Sequence, residues 1–303
     1  MSAGAHQTCG LMIMMSDTFK GAGCAKGGTF MSSYANFRLE STTRESLKEA
    51  AMTTINAAGS SMDTLSNFTD GSRAVIVLSS SNDASVPDKN QWGIYDTFSE
   101  LGMDGTDGSS SQNLKHLQTG ATGHNFEDYY PEEMISFLYD TLGYGSLEEV
   151  GDTRRDEDEA LGTYTKFDQR EFFPSSIDWS DENAYDRAFY GRQNGWIYTP
   201  TACQGAGSSD CRVHFALHGC QGRAENLGKV GYNDLASTNK IIMVYPDVAC
   251  WDNEGDVDPT GFNTNTGIIP LALKAMVERV TATSTTGSEN TGGEGSSTTE
   301  EAG

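Results

Sequence analysis

The sequence of 303 residues lacks any apolar run near the roughly 18 residues that a membrane-spanning helix needs, which argues against an integral membrane protein. Basic residues are also few, since 20 Lys and Arg face 43 Asp and Glu and give a formal net charge of −23. A surface of that sign repels phosphate backbones and anionic lipids. We therefore expect neither nucleic acid nor a membrane as a partner.

Several chemical motifs are missing as well. The sequence has no G-x-x-x-x-G-K-[ST] phosphate loop, no H-E-x-x-H zinc helix and no Cys/His cluster with zinc-ligand spacing. We accordingly predict no cofactor and no metal. The first residues, MSAGAHQTCG, also lack the basic and then apolar pattern of a secretory leader.

What is present indicates a globular body followed by a polar tail. Apolar residues make up 36% of the chain, enough for the core of one large domain. We predict a catalytic domain over residues 1–280, interrupted by an exposed acidic loop near 147–162. Residues 281–303 are rich in Ser, Thr, Gly and Glu and contain no large apolar residue. Such a segment cannot offset its ordering entropy by burial, so we expect it to be disordered.

Strand and helix patterns alternate along the body. Continuous β-branched runs predict buried strands, and apolar residues three or four apart predict amphipathic helices. Thr42 and Glu45 have the spacing of a capping box before one such helix. The predicted strands are 74–78, 113–118, 213–217 and 241–245, and the predicted helices include 5–16, one around 92–101, one from Pro131 and one over 271–280. This alternation predicts an α/β fold with a mainly parallel central sheet flanked by helices.

Polar residues follow two of the predicted strands. In open α/β sheets, binding and catalytic residues lie in the loops at the carboxyl ends of the strands. Asp83 follows the strand 74–78, and His124 follows the strand 113–118. Ser2-Ala3-Gly4 leads directly into a helix, as in the second half of a G-x-S-x-G nucleophile elbow. The order Ser, Asp, His is the order of α/β-hydrolases. Each residue alone has an ordinary alternative, such as a helix cap for the Asp or a surface position for the His.

A second turn supports the same interpretation. Leu217-His218-Gly219-Cys220 ends a predicted strand, and an H-G turn of this kind supplies a backbone N–H to the oxyanion hole of α/β-hydrolases. The alternative is a tight turn with a disulfide cysteine. This turn ordinarily precedes the nucleophile, whereas here it follows all three candidate residues. Circular permutation of the fold would explain that order.

The six cysteines allow fifteen pairings, and any disulfide would indicate an oxidising compartment. Cys203 and Cys211 bracket a short Gly/Ser loop that a disulfide could close. Cys9 and Cys24 leave three possibilities open: a mutual bond, two free thiols, or two small buried apolar residues.

Longer segments resemble the circularly permuted, single-domain extracellular poly(3-hydroxybutyrate) depolymerases, which are α/β-hydrolase serine esterases. The segments that carry this resemblance are MSAGA, SDTFKGAGCAKGG (16–28), SSNDASVP (80–87), GATGHNF (120–126), FDQREFFP (167–174), NGWIYTPTAC (194–203), CRVHFALHGCQG (211–222), GYNDLASTNKIIMVYPDVACWDN (231–253) and LALKAMVERV (271–280). The order of LHGC, then YN-x-x-A-x-x-N-x-I-x-x-x-YP, then CWD is the most specific part of the pattern.

The resemblance implies a role for each matching residue. Ser2 would be the nucleophile, His124 the general base and then acid, and Asp83 the residue that orients His124. Backbone N–H groups of Ala3 and Cys220 would form the oxyanion hole. The resemblance further implies a substrate-lining role for Trp251 and two disulfides, Cys203–Cys211 and Cys220–Cys250.

The implied protein is a secreted, monomeric esterase that hydrolyses poly(3-hydroxybutyrate) or related oligomers through an acyl-enzyme. Two departures keep alternatives open. The strand and Gly that precede the nucleophile in this family would lie before Met1, which predicts an N-terminally truncated member and favours a non-catalytic homologue. Asn253 and Glu254 stand where the family continues with an aromatic residue, which favours a feruloyl or acetyl esterase acting on polysaccharide.

Overall fold

The computed structural model of the protein describes residues 1–33, 38–104, 113–120, 123–124, 130–148, 161–177, 179, 192–205 and 210–286. The predicted acidic loop falls mostly on 149–160 and the predicted tail on 287–303, and both ranges lie outside the described residues. The last helix continues to Thr286, into the range 281–303 that the sequence predicts to be the tail.

The elements alternate much as the sequence predicts. The helices are α1 (Ala3–Met14), α2 (Arg44–Ala58), α3 (Lys89–Glu100), α4 (Pro131–Thr141), α5 (Ala224–Leu227), α6 (Tyr232–Asn239) and α7 (Ile268–Thr286). The strands are β1 (Gly21–Ala25), β2 (Ala74–Ser80), β3 (Leu114–Thr119), β4 (Gly162–Asp168), β5 (Asn194–Pro200), β6 (Arg212–Phe215) and β7 (Ile241–Tyr245). Short 3-10 turns occupy Gly59–Ser61, Leu65–Phe68, Gln169–Phe172, Thr201–Cys203 and Gly228–Val230.

Hydrogen bonds divide these strands into two sheets. The first is wholly parallel, with the order β1-β2-β3. The second has the order β4-β5-β7-β6, in which only the β6–β7 pair is parallel. The prediction of an α/β fold is confirmed, but the single central sheet divides in two and gains an antiparallel edge. The antiparallel strands β4 and β5 have mixed burial patterns, which a search for buried β-branched runs does not detect.

Local signals explain several boundaries. Pro131 begins α4, where its missing N–H costs no helical hydrogen bond. The capping box of α2 lies one residue later than predicted, because Thr43 rather than Thr42 caps the helix and pairs reciprocally with Ser46 rather than Glu45. Gly59 ends α2 at a φ of +55°, a conformation that glycine adopts without strain.

The strand β2 forms the centre of the first sheet, and all seven of its residues are buried. One apolar cluster joins α1, β2, α3 and α7, and a second joins β2 to α4, α6 and β7. A cavity of about 230 Å³ is lined by residues of both sheets, including Gly21–Gly23 of β1 and Arg212–Phe215 of β6. Neither Asp83 nor His124 lines this cavity, whereas Met1 and Leu217 do.

Candidate active site

Asp83 and His124 meet at the carboxyl end of the parallel sheet. The Nδ1 atom of His124 lies 2.6 Å from Oδ2 of Asp83. The carboxylate is fully buried, whereas the imidazole remains 20% exposed. Because an ionised carboxylate can only accept a hydrogen bond, Nδ1 carries the proton and Nε2 is left as the basic atom. The pair therefore has the geometry of an oriented general base.

The second oxygen of Asp83 is held by backbone. Its Oδ1 accepts hydrogen bonds from the N–H groups of Ser85, at 2.8 Å, and Val86, at 2.9 Å. Burial by itself raises the pKa of Asp83, but the hydrogen bonds from His124, Val86 and Ser85 outweigh burial and hold that pKa below its usual value. Asp83 therefore stays ionised at neutral pH and keeps the imidazole oriented.

Ser2 stands at a strained turn. Its φ of 56° and ψ of −129° are unusual for a residue with a side chain, and it directly precedes α1. The Ser2 N–H donates to the Ala25 carbonyl at 3.0 Å, and the Met1 nitrogen donates to the Leu217 carbonyl at 3.1 Å. These bonds tie the start of α1 to the ends of β1 and of the β6 segment. A sharp turn that opens a helix is the local geometry of a nucleophile elbow.

Glycines allow this turn and the H-G turn to pack together. A Cβ atom on Gly4 would lie 2.3 Å from the His218 carbonyl oxygen, so only glycine fits. A Cβ atom on Gly219 would lie 3.1 Å from the Ser2 Cβ. The predicted oxyanion donor Cys220 directly follows Gly219. The structure therefore places Ser2 against the turn that contains Cys220, while the approach of Ser2 to His124 stays a prediction.

A buried charged network supports the Cys220 turn. His218 has no exposed side-chain surface, and its Nδ1 lies 2.7 Å from the Gly219 carbonyl oxygen. Its Nε2 lies 3.1 Å from Oδ1 of Asp247. Arg192 donates to the same Asp247 oxygen at 2.7 Å and to the Gly222 carbonyl at 2.8 Å. The turn is thus bonded at two of its carbonyls by side chains that both contact Asp247.

Trp251 braces the same turn from the other side. Its side chain is nearly buried, with the residue 4% exposed, and its indole N–H donates to the His218 carbonyl at 2.7 Å. The neighbouring Cys250 forms a disulfide with Cys220. The substrate-lining role of Trp251 stays a prediction. The structure adds an anchoring role for Trp251, which the sequence did not indicate. Asn253 donates to the Ala3 carbonyl at 3.1 Å, which bonds this segment to α1.

All six cysteines are paired. Cys203 bonds Cys211, as the resemblance implies, and Cys9 bonds Cys24. The second bond connects α1 to β1 and resolves the three possibilities that the sequence left open. Among the described residues, no helix is long and apolar enough to cross a bilayer, and no group of three or more His, Cys, Asp and Glu side chains could hold a metal ion.

Sequence reasoning missed several supporting residues. Asp247 lies two residues after the end of β7, so the strand-end rule that found Asp83 could have found it too. Lys26 directly follows β1 and is fully buried, so the same strand-end rule applies to it. Arg192 has no local sequence signal, because it donates to the Gly222 carbonyl and pairs with Asp247, both distant in sequence. Gln169 has none either, because its amide donates to the carbonyls of Arg192 and Asp247.

Fold and contacts together define an α/β protein whose polar residues gather at the carboxyl ends of parallel strands. More particularly, the chain resembles poly(3-hydroxybutyrate) (PHB) depolymerases. It is 32% identical over 164 residues to poly(3-hydroxybutyrate) depolymerase of Delftia acidovorans, a match covering 49% of this chain and 28% of the relative. It is 39% identical over 57 residues to polyhydroxybutyrate depolymerase of Talaromyces funiculosus, covering 17% of this chain and 16% of the relative. The matched segments therefore span less than a third of either relative.

Solved structures extend the likeness over most of the fold. The crystal structure of PHB depolymerase from Penicillium funiculosum superposes with a TM-score of 0.68, covering 93% of this chain and 94% of that one at 18% identity. A serine-to-alanine PHB depolymerase variant complexed with an R3HB trimer gives a TM-score of 0.64 with the same coverage and identity. At this identity the structures establish the fold alone. A scan of protein-family models finds no match.

Proposed function

We propose that this protein is a secreted serine esterase that cleaves poly(3-hydroxybutyrate) or related polyhydroxyalkanoate oligomers. The observation that carries the proposal is the 2.6 Å contact between His124 and a buried Asp83, formed by loops that follow adjacent parallel strands. The α/β-hydrolase order of Ser, Asp and His and the likeness to PHB depolymerases support it.

In the proposed mechanism the Ser2 hydroxyl attacks the ester carbonyl while Nε2 of His124 takes its proton. Asp83 stabilises the imidazolium that forms and holds it in the productive tautomer. The N–H groups of Ala3 and Cys220 bind the oxyanion of the tetrahedral intermediate, where one donor is worth about 3–4 kcal/mol. His124 then protonates the leaving alcohol, and a water molecule activated by His124 releases the acyl group from Ser2.

The wider setting agrees with this proposal. Three disulfides fit an oxidising compartment and hence secretion. The net charge of −23 disfavours nucleic acid and anionic membranes as partners. The reaction as written needs neither a cofactor nor a metal, and we propose that a single chain performs it.

A second candidate is an esterase for feruloyl or acetyl groups on polysaccharide. Asn253 favours it, because a polar residue stands where the depolymerase pattern continues with an aromatic one, and its amide is fixed on α1. A polar rim suits a hydrated substrate better than an apolar polyester chain. The third candidate is a homologue with no catalysis.

Active-site labelling separates these candidates. The folded protein is treated with a fluorophosphonate probe, with Ser2→Ala as the test variant and the exposed Ser60→Ala as its matched control. We expect labelling of the unchanged protein and of the Ser60 variant, and a loss of at least about 10⁴-fold in ester turnover for Ser2→Ala. A folded protein without label dependent on Ser2 would support the non-catalytic candidate.

Substrate choice is tested by comparing PHB film clearing, 3-hydroxybutyrate oligomer hydrolysis and release of feruloyl or acetyl groups. Polymer or oligomer turnover supports the proposed depolymerase. Turnover confined to the feruloyl or acetyl substrates would establish the second candidate instead.

A further inference from the structure

A lysine, Lys26, directly follows β1 at a buried position, where charged side chains are rare. Lys26 has no exposed surface and is among the largest fully buried side chains of the described residues. Its Nζ donates to the Gly123 carbonyl at 3.0 Å, and Gly123 immediately precedes His124. We propose that Lys26 is a positioning residue that fixes the loop carrying His124. This inference rests on the proposed function, in which His124 is the general base.

The contact acts on the backbone of His124 itself. The carbonyl of Gly123 and the N–H of His124 belong to one planar peptide group. Gly123 has a φ of +83°, a conformation that glycine adopts without strain. Holding the carbonyl therefore fixes the direction in which the His124 side chain leaves the loop, and with it the 2.6 Å contact to Asp83.

Lys26 is itself well anchored at its base. Its N–H donates to the Leu78 carbonyl at 2.9 Å, which continues the β1–β2 ladder by one residue. The next residue, Gly27, accepts a hydrogen bond at 2.8 Å from Gln91, a fully buried side chain of α3. Lys26 thus starts at the end of β1, on one side of β2, and its ammonium group reaches the loop that follows β3, on the other side of β2.

The choice of lysine is explained by this bond rather than by packing. Burying an ammonium group is costly, and an apolar side chain of the same length would fill the same space without that cost. Hydrogen bonds from charged donors are about twice as strong as neutral ones, so the ammonium holds a carbonyl more firmly than a neutral donor would. The backbone of Lys26 also adopts a φ of 53°, a strain that persists only where surrounding contacts impose it.

The test compares Lys26→Met with Lys26→Arg. Methionine removes the donor and ends one bond short of the ammonium, whereas arginine keeps a charged donor. Lys89→Met is the matched control, because Lys89 likewise donates to backbone carbonyls, those of Leu39 and Thr42, but at the start of α3. Each variant is examined by thermal unfolding, by kcat and KM on a soluble aryl ester, and by proton NMR.

The NMR readout is the strongly downfield proton shared by Nδ1 of His124 and Asp83, assigned by its absence in His124→Gln. We expect Lys26→Met to fold, to lose this resonance, and to lower kcat on the order of 10–100-fold with KM changed by less than about twofold. Lys26→Arg should restore the resonance and part of kcat. Lys89→Met should leave both unchanged.

Several outcomes would overturn the proposal. A folded Lys26→Met that keeps the resonance and kcat would do so, as would a loss of kcat that Lys26→Arg does not restore. If the methionine variant does not fold, Lys26→Gln replaces it, because its amide ends one bond short of the ammonium. Failure of both variants to fold would make Lys26 a residue of the fold in general and would also count against the proposal.

The resonance does not depend on turnover. An unchanged protein that shows the resonance but hydrolyses no ester would refute the proposed function. Loss of the same resonance in Lys26→Met would still establish the positioning role.

Discussion

The two halves of the candidate site are held in place by different means. The pair of Asp83 and His124 is formed by two loops, and the imidazole keeps a fifth of its surface exposed. The turn at Cys220 is braced by a disulfide, an indole and a buried ion pair between Arg192 and Asp247. A base must exchange protons with substrate, whereas an oxyanion donor must stay fixed before the reaction begins. The difference in support therefore agrees with the roles proposed for the two halves.

Removing the charge of Asp83, in the half of the site formed by Asp83 and His124, should produce the largest effect on activity. Asp83→Asn leaves the size of the side chain unchanged but offers His124 an amide in place of a carboxylate, which permits the wrong tautomer. We expect kcat on a soluble ester to fall by about 10³–10⁴-fold, with little change in the melting temperature. Steady-state kinetics and calorimetry measure both quantities.

The exposed Asp70→Asn serves as the control for that experiment. If Asp83→Asn retained most of its kcat, the proposed role of the first half would be wrong.

Removing the charge of Asp247, in the half of the site formed by the Cys220 turn, should affect stability as well as activity. Asp247→Asn leaves the Arg192 guanidinium buried without its anionic partner, and breaking such a buried pair costs about 3–5 kcal/mol in the free energy of unfolding. We expect kcat to fall too, because His218 loses the carboxylate that orients it beneath the Cys220 turn. Urea unfolding followed by the same ester assay tests both expectations.

Asp168→Asn is the matched control, since Asp168 pairs with Arg170 at an exposed site, where solvent screens the pair and its contribution to the free energy of unfolding should be small. Equal stability losses in the two variants would contradict the contrast between buried and surface pairs.

The smallest expected effect concerns His6 of α1, the helix that packs against the Cys220 turn. Burial lowers the pKa of His6 to about 4, from an ordinary value near 6.5. Between these two values the unfolded chain binds a proton that the folded chain does not, so the free energy of unfolding decreases as the pH falls from about 6.5 to 4. His6→Gln removes this titration and should flatten the pH dependence over that window.

Denaturant unfolding at several pH values measures the slope. The exposed Asn56→Gln provides a control on the same chain. An unchanged slope in the His6 variant would show that His6 contributes nothing to this pH dependence.

Much of the fold could be predicted from local sequence. The β-branched run at 74–78 and the Pro131 helix start depend on backbone and burial preferences that act within a few residues. Asp83 could be found for the same reason, because it directly follows a recognisable strand. The cap of α2 was displaced by one residue, since Thr42 and Thr43 have similar propensities and only the hydrogen-bond geometry separates them.

What the sequence determined by itself was the order of elements, the polar residues at strand ends and the absence of basic, apolar and metal-binding runs. Only the tertiary structure decided the pairing of Cys9 with Cys24, the division into two sheets and the reach of Lys26 to Gly123. These features join segments up to 97 residues apart along the chain, as Lys26 and Gly123 show. Local propensity carries no information on such contacts, because they form when separate elements pack around a shared core.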